Sequence, residues 1–170
     1  MENPLLDTTS LPRFDKIQPD HVLPAIRKVI ADNRAELDRL LGSDQAPGID
    51  SLVAPIEHMD HELGRVWSPV CHLQSVLGSA DWREAYKEAL PLLTEYGTEV
   101  SQNVQLQRAY AAVRKGLPTD ASEESRSAVE QALRNFHLAG VALEEDAMER
   151  CKVMMQELAD IKATFDHNVL

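Results

Sequence analysis

Two imidazoles and three carboxylates crowd one short run, Glu57-His58-Met59-Asp60-His61-Glu62. Zinc peptidases of the H-E-x-x-H type need two histidines one helical turn apart, with the intervening glutamate as general base. Here His61-Glu62-Leu63-Gly64 is followed by Arg65, a cation where the second ligand belongs, so the motif fails at an essential position. His58 and His61 sit three apart on one helix face, with Glu57 and Glu62 near. An adventitious zinc or nickel site is one reading; a solvated polar face is the preferred one, and His58, His61 and Glu62 are assigned no metal. His72 lies beside Cys71, but a nucleophilic pair must converge in space with an orienting third group, and neighbours on a helix point apart. A packed core histidine is expected there. His21, His137 and His167 are isolated. The acids Glu144, Glu145, Asp146 and Glu149 suit the first turns of a helix, whereas a calcium loop needs alternating acids about a central glycine. With no glycine-rich phosphate loop, G-x-S-x-G elbow or C-x-x-C, the chain offers no catalytic, cofactor or metal site of its own.

The elements that would carry these residues are helical. Residues 1–18 read as an extended lead, broken by Pro4 and Pro12 and pinned by Leu5, Leu6, Leu11 and Phe14 where it lies on a surface. Residues 19–170 form the helical domain. Pro19 opens a helix at a position that needs no N–H, and Val22, Leu23, Ile26, Val29, Ile30, Leu37, Leu40 and Leu41 give one apolar face. Pro24 should bend its first turns, and the run Gly42 to Gly48 stops it. A second helix is capped at Asp50 or Ser51 and is broken or kinked at Ser68-Pro69. It resumes from Val70 to Leu77 and ends at Gly78-Ser79. A third is capped by Asp81 and kinked by Pro91, with a bend expected near Gly97 or Asn103 before the pattern continues to Gly116. Asp120 with Glu123 forms a capping-box pattern ahead of a stripe of Ala128, Val129, Ala132, Leu133 and Phe136. From about Leu143, the residues Ala147, Cys151, Met154, Leu158, Ile161 and Phe165 step by four and three in a heptad-like seam, read as an antiparallel packing stripe. That helix reaches Leu170 without a stop signal, as in a chain cut from a longer design. The fold class is therefore all-α, with about six or seven helices, several kinked at proline.

The core centres on residues 63–100. That stretch holds Trp67, Trp82, Tyr86 and Tyr96, half of the aromatics in a chain only 5% aromatic, and large rings bury the most area. Trp67, His72 and Tyr96 are candidates for core or lining positions, with core preferred. The formal net charge of −11 excludes a nucleic-acid or anionic-membrane surface, which needs a basic face. No apolar run approaches the roughly 20 residues of a membrane span, and the N-terminus lacks a signal peptide's basic and apolar regions. Cys71 and Cys151 read as buried thiols rather than a disulfide, in a cytoplasmic setting.

Five phrases, NPLL, LPRFDKIQPDHVLPAI, LGRVWSPVCHLQSV, EALPLLTEYGTEVSQN and ALRNFHLAGVALEED, occur in an order that resembles the N-terminal region of the bacterial oligopeptidase A group. That group belongs to the thimet-type zinc oligopeptidases. The resemblance covers essentially the whole chain. It implies a cytosolic peptidase several times longer, helical and clam-shaped around a deep channel, with its zinc motif far downstream and short peptides as substrates. The N-terminal helices would form part of the channel wall. No zinc ligand carries over to this sequence, so peptide substrates and zinc belong to the full enzyme, with the missing catalytic region as partner. An apolar patch left uncovered by that region, and self-association through it, is expected. The alternative is a free-standing acidic helical interaction module that kept the fold and lost the peptidase.

Overall fold

The computed structural model describes residues 3–7 and 10–169, with side chains given for all of these but 145, 166, 167 and 169. Six α-helices carry the chain, and no strand occurs among the described residues: α1 Val22–Leu41, α2 Ala54–Leu77, α3 Ala80–Ser101, α4 Val104–Gly116, α5 Glu123–Leu138 and α6 Glu145–Val169. The lead is pinned, though not by all four expected residues. Leu5 and Ile17 are buried, while Leu11 and Phe14 are exposed. Polar ties complete the attachment: Asn3 Nδ2 donates to the His21 carbonyl at 2.8 Å, and Arg65 Nη2 donates to the Ser10 carbonyl at 2.8 Å.

Local chemistry sets the helix ends. Pro19 opens a 3-10 turn, Pro19–His21, rather than the α-helix itself. Pro24 thereby falls in the first turn of α1, where its missing N–H has no partner to lose. The second helix is entered through a π turn, Ile49–Val53, in which Ser51 Oγ accepts from the Gly48 N–H at 2.9 Å. Helix α2 then runs unbroken through Pro69, and α3 through Pro91. Gly78 closes α2 with φ of 56°, a left-handed conformation that suits glycine. Two expected caps are displaced. Ser79, not Asp81, caps α3 by accepting from the Trp82 N–H, and Ser122, not Asp120, caps α5 by accepting from the Ser125 N–H. In both places the acid lies near a serine better set to reach the free amides. Asn103 ends the ambiguity after Gly97: it caps α4 by accepting from the Leu106 N–H, so the chain breaks there and Gly97 stays inside α3.

The helices pack α1 on α2 and α3, α2 on α3, α4 on α5, and α6 on α3. Two apolar clusters result. One joins Val22, Ile26 and Ile30 of α1 to Val66 and Val70 of α2 and Trp82, Ala89 and Tyr96 of α3. The other joins Leu37 and Leu40 to Ile56, Met59, Leu106, Tyr110, Val129 and Phe136. Each fully buried aliphatic or aromatic side chain is worth about 1.5–3 kcal/mol, so these clusters hold the fold. Asn33 sits between them, 5% exposed. Its Nδ2 donates to the Met59 carbonyl at 3.3 Å, and its side chain is hydrogen-bonded to Tyr96, so one buried amide links α1, α2 and α3.

Candidate functional site

Helices α2, α3, α4 and α5 leave a groove of about 670 Å³ between them. From α2 come Ile56, Glu57, Asp60, Leu63, Gly64 and Trp67; from α3 come Leu90, Leu93, Tyr96, Gly97 and Val100; Leu106, Tyr110, Ala132 and Phe136 complete it. Trp67 stands half-buried at one side, stacked on Tyr86 with ring centroids 4.9 Å apart. Tyr110 and Phe136 meet at 5.6 Å on the other. The surface is mainly apolar and aromatic, and among the described residues Glu57 and Asp60 are the charged groups that line it.

The two glycines are informative. Gly64 and Gly97 lie inside α2 and α3 with helical backbones, and a Cβ at either would meet no atom within 4 Å. Neither turn geometry nor close packing requires glycine at these positions, and glycine in a helix costs roughly 1 kcal/mol relative to alanine. Their shared property is that both line the groove.

The groove also shifts its ionisable groups. Asp60 is exposed as a residue, yet partial desolvation of its carboxyl against the groove, and then the nearby Glu57 charge, push that carboxyl above its usual range. Burial, followed by the Glu57 and Asp60 charges, pushes the Tyr110 hydroxyl up to about 12. Burial likewise raises Tyr96, against the lowering hydrogen bond from Asn33. Extra negative charge is thus disfavoured here, and a cationic or neutral polar group would be favoured beside Glu57 and Asp60.

The residues weighed for metal chemistry are not brought together. His58 and His61 are exposed on α2 and Glu62 is half-buried; among the described residues, no group of three or more His, Cys, Asp or Glu side chains is placed to hold a metal ion. His72 is not a core residue: it is exposed, edge-on to Phe14 with centroids 5.4 Å apart. Cys71 and Cys151 are unpaired and half-buried rather than fully buried, and burial raises the Cys71 thiol. His21 Nδ1 accepts from the Gln18 N–H at 3.0 Å, His137 is exposed, and the His167 side chain lies outside the described residues. Of the lining candidates, Tyr96 is buried at the groove floor and Trp67 forms part of its wall. Sequence reasoning passes over Gly64, Gly97, Asp60 and Tyr110 as lining residues. A glycine inside a helical pattern is the available signal.

The neurolysin/thimet oligopeptidase N-terminal domain family model matches residues 26–148, and the chain belongs to this family. Curated relatives extend the likeness to the whole chain. Oligopeptidase A of Haemophilus influenzae is 37% identical over 171 residues, covering 100% of this chain and 25% of its own length. Oligopeptidase A of Escherichia coli is 38% identical with the same coverage. The probable cytosolic oligopeptidase A of Arabidopsis thaliana is 31% identical, over 99% of this chain and 24% of its own length. The chain thus spans about a quarter of the length of the relatives it matches. No helix among the described residues is long and apolar enough to cross a membrane.

Proposed function

We propose that this chain is the N-terminal helical domain of a zinc oligopeptidase and forms part of the wall past which short peptides reach a catalytic centre held elsewhere. The observation that carries this reading is the end-to-end match to one quarter of oligopeptidase A. The groove between α2 and α5 supports the wall role. It is apolar enough to take side chains of an extended peptide, its glycines leave room for a backbone to approach, and Glu57 with Asp60 would favour a peptide's cationic groups. The protein would not bind zinc itself; zinc would sit in the remaining three quarters of the enzyme. Two unpaired thiols suit a cytoplasmic, reducing setting.

The test places this chain in the matched N-terminal quarter of Escherichia coli oligopeptidase A and measures cleavage of short peptides with and without Lys or Arg. Gly97→Leu, which fills the groove, should lower kcat/KM for peptides while leaving the chimera folded. Asp60→Asn should narrow the preference for cationic peptides. Unchanged kcat/KM across all substrates for both variants would refute the wall role.

A further inference from the structure

Helix α6 is apolar on more of its circumference than the rest of the chain covers. Among its half-buried residues, Met148, Cys151, Met155 and Ala159 follow one another by three and four along the helix that packs on α3. A second row lies beside them. Met154, Leu158, Ile161 and Phe165 are 60%, 50%, 65% and 65% exposed, and they too step by four and three. At 3.6 residues per turn, this second row occupies an arc of about 60°, centred about 100° round the helix from the half-buried row. The expected packing seam is therefore used at only two of its six positions. Ala147 and Cys151 are half-buried, but the four residues after them face outward, because α3 takes up the adjoining face of α6.

We propose that this row is the docking seam for an amphipathic helix of the peptidase's remaining region. The inference rests on the reading given above and adds to it the face and the kind of partner. Two observations select that occupant. First, the match to the N-terminal domain family ends at residue 148, whereas the match to oligopeptidase A runs on through α6. The uncovered row thus lies beyond the domain proper, on the element shared with the longer enzymes. Second, the matched region is 25% of oligopeptidase A, so a body about three times this chain's size remains to cover it. A second copy of the chain fits less well. Four such side chains expose on the order of 400 Å², about half of what each partner buries in a standard stable complex, whereas a partner tethered in the same polypeptide needs less contact area to stay bound. The partner helix should present Leu, Ile, Val or Phe at three-and-four spacing over about three turns, since Met154 to Phe165 spans roughly 17 Å of helix.

Cysteine labelling tests the seam. Ile161→Cys and, as control, Asp160→Cys on the exposed face are made in this chain alone and in the chain placed in the matched quarter of Escherichia coli oligopeptidase A. Reaction with a thiol reagent is followed at each site by peptide-resolved mass spectrometry, and peptidase activity is recorded separately. The proposal expects the thiol at position 161 to react at least tenfold more slowly in the long protein than in the isolated chain, with the thiol at position 160 fast in both. Equal rates at position 161 in the two proteins overturn it. So does protection that already appears in the isolated chain and grows with its concentration, which would make a second copy the occupant. A long protein that is protected at position 161 but cleaves no peptide would leave the seam standing and count against the peptidase-wall reading instead.

Discussion

Leu106 and Leu158 provide a matched pair for testing the structure, because the same truncation should have very different consequences at the two positions. Leu106 is 1% exposed and packs in the cluster of Leu37, Met59, Tyr110 and Phe136. Leu158 is 50% exposed on the free side of α6. Buried leucine to alanine costs about 2–5 kcal/mol, from lost transfer energy plus the cavity left behind. At Leu158 little burial is lost, and leucine and alanine are both strong helix formers, so the cost in this chain alone should stay within about 0.5 kcal/mol. For a domain of this size each kcal/mol moves Tm by about 2–4 °C. Leu106→Ala should therefore lower Tm by about 4–20 °C, and Leu158→Ala by no more than about 2 °C. Thermal unfolding followed by far-ultraviolet circular dichroism, at several protein concentrations, reads both. A Leu158→Ala loss as large as that of Leu106→Ala, independent of concentration, would mean that the α6 row is packed within the chain, and the account of an uncovered face would be wrong.

Other perturbations probe single features. Pro91 lies inside α3 and is exposed, so Pro91→Ala restores an N–H for the Lys87 carbonyl and should stabilise by about 1–3 kcal/mol; no rise in Tm would show that α3 is shaped around the proline. Gly78→Ala forces a side chain to φ of 56° and should cost about 1 kcal/mol, measured by urea unfolding; an unchanged midpoint contradicts the left-handed cap. Asp60 binds its proton more tightly in the folded chain than at its ordinary pKa of 3.8. The folded state is therefore favoured while Asp60 is protonated and loses that advantage as pH rises from 3.8 through the raised value. Asp60→Asn should accordingly stabilise the chain at neutral pH and have no effect below the ordinary value, as read from stability measured across the acid range; a destabilised variant at neutral pH would contradict the crowded carboxyl. The Arg34–Glu99 pair joins α1 to α3 at 2.6 Å, but both side chains are 44% exposed, so Arg34→Ala should cost no more than about 1 kcal/mol; a larger drop in a urea titration would count against a solvated pair.

Much of this architecture is legible because the chain punctuates itself. Pro19, Gly78 and Asn103 mark boundaries by what their backbones and side chains can do, and the apolar spacing of Val22 to Leu41 leaves one face to bury. The misplaced caps at Asp81 and Asp120 arise where two cap-forming residues lie two apart, and only the fold decides which one reaches the free amides. The role of α6 is hidden for a different reason. Its heptad-like row shows which side chains are apolar, but periodicity carries no information on whether a partner face lies in the same chain. His72 escapes a sequence reading because the lead, a segment with no apolar periodicity, places Phe14 against it on the outside. The groove is nearly invisible in sequence. Glu57 and Asp60 of α2, Tyr110 of α4 and Phe136 of α5 converge only through the packing of the helices that line it, with Gly64 and Gly97 as the local trace.

The central claim is that this chain contributes a wall and not the chemistry. Hydrolysis of a quenched fluorogenic peptide, with zinc added, tests it most directly, on the chain alone and on the chain in the matched quarter of Escherichia coli oligopeptidase A. The account predicts no turnover from the chain alone and turnover from the long protein. Turnover by the chain alone, lost on chelation and in His61→Ala, would contradict it.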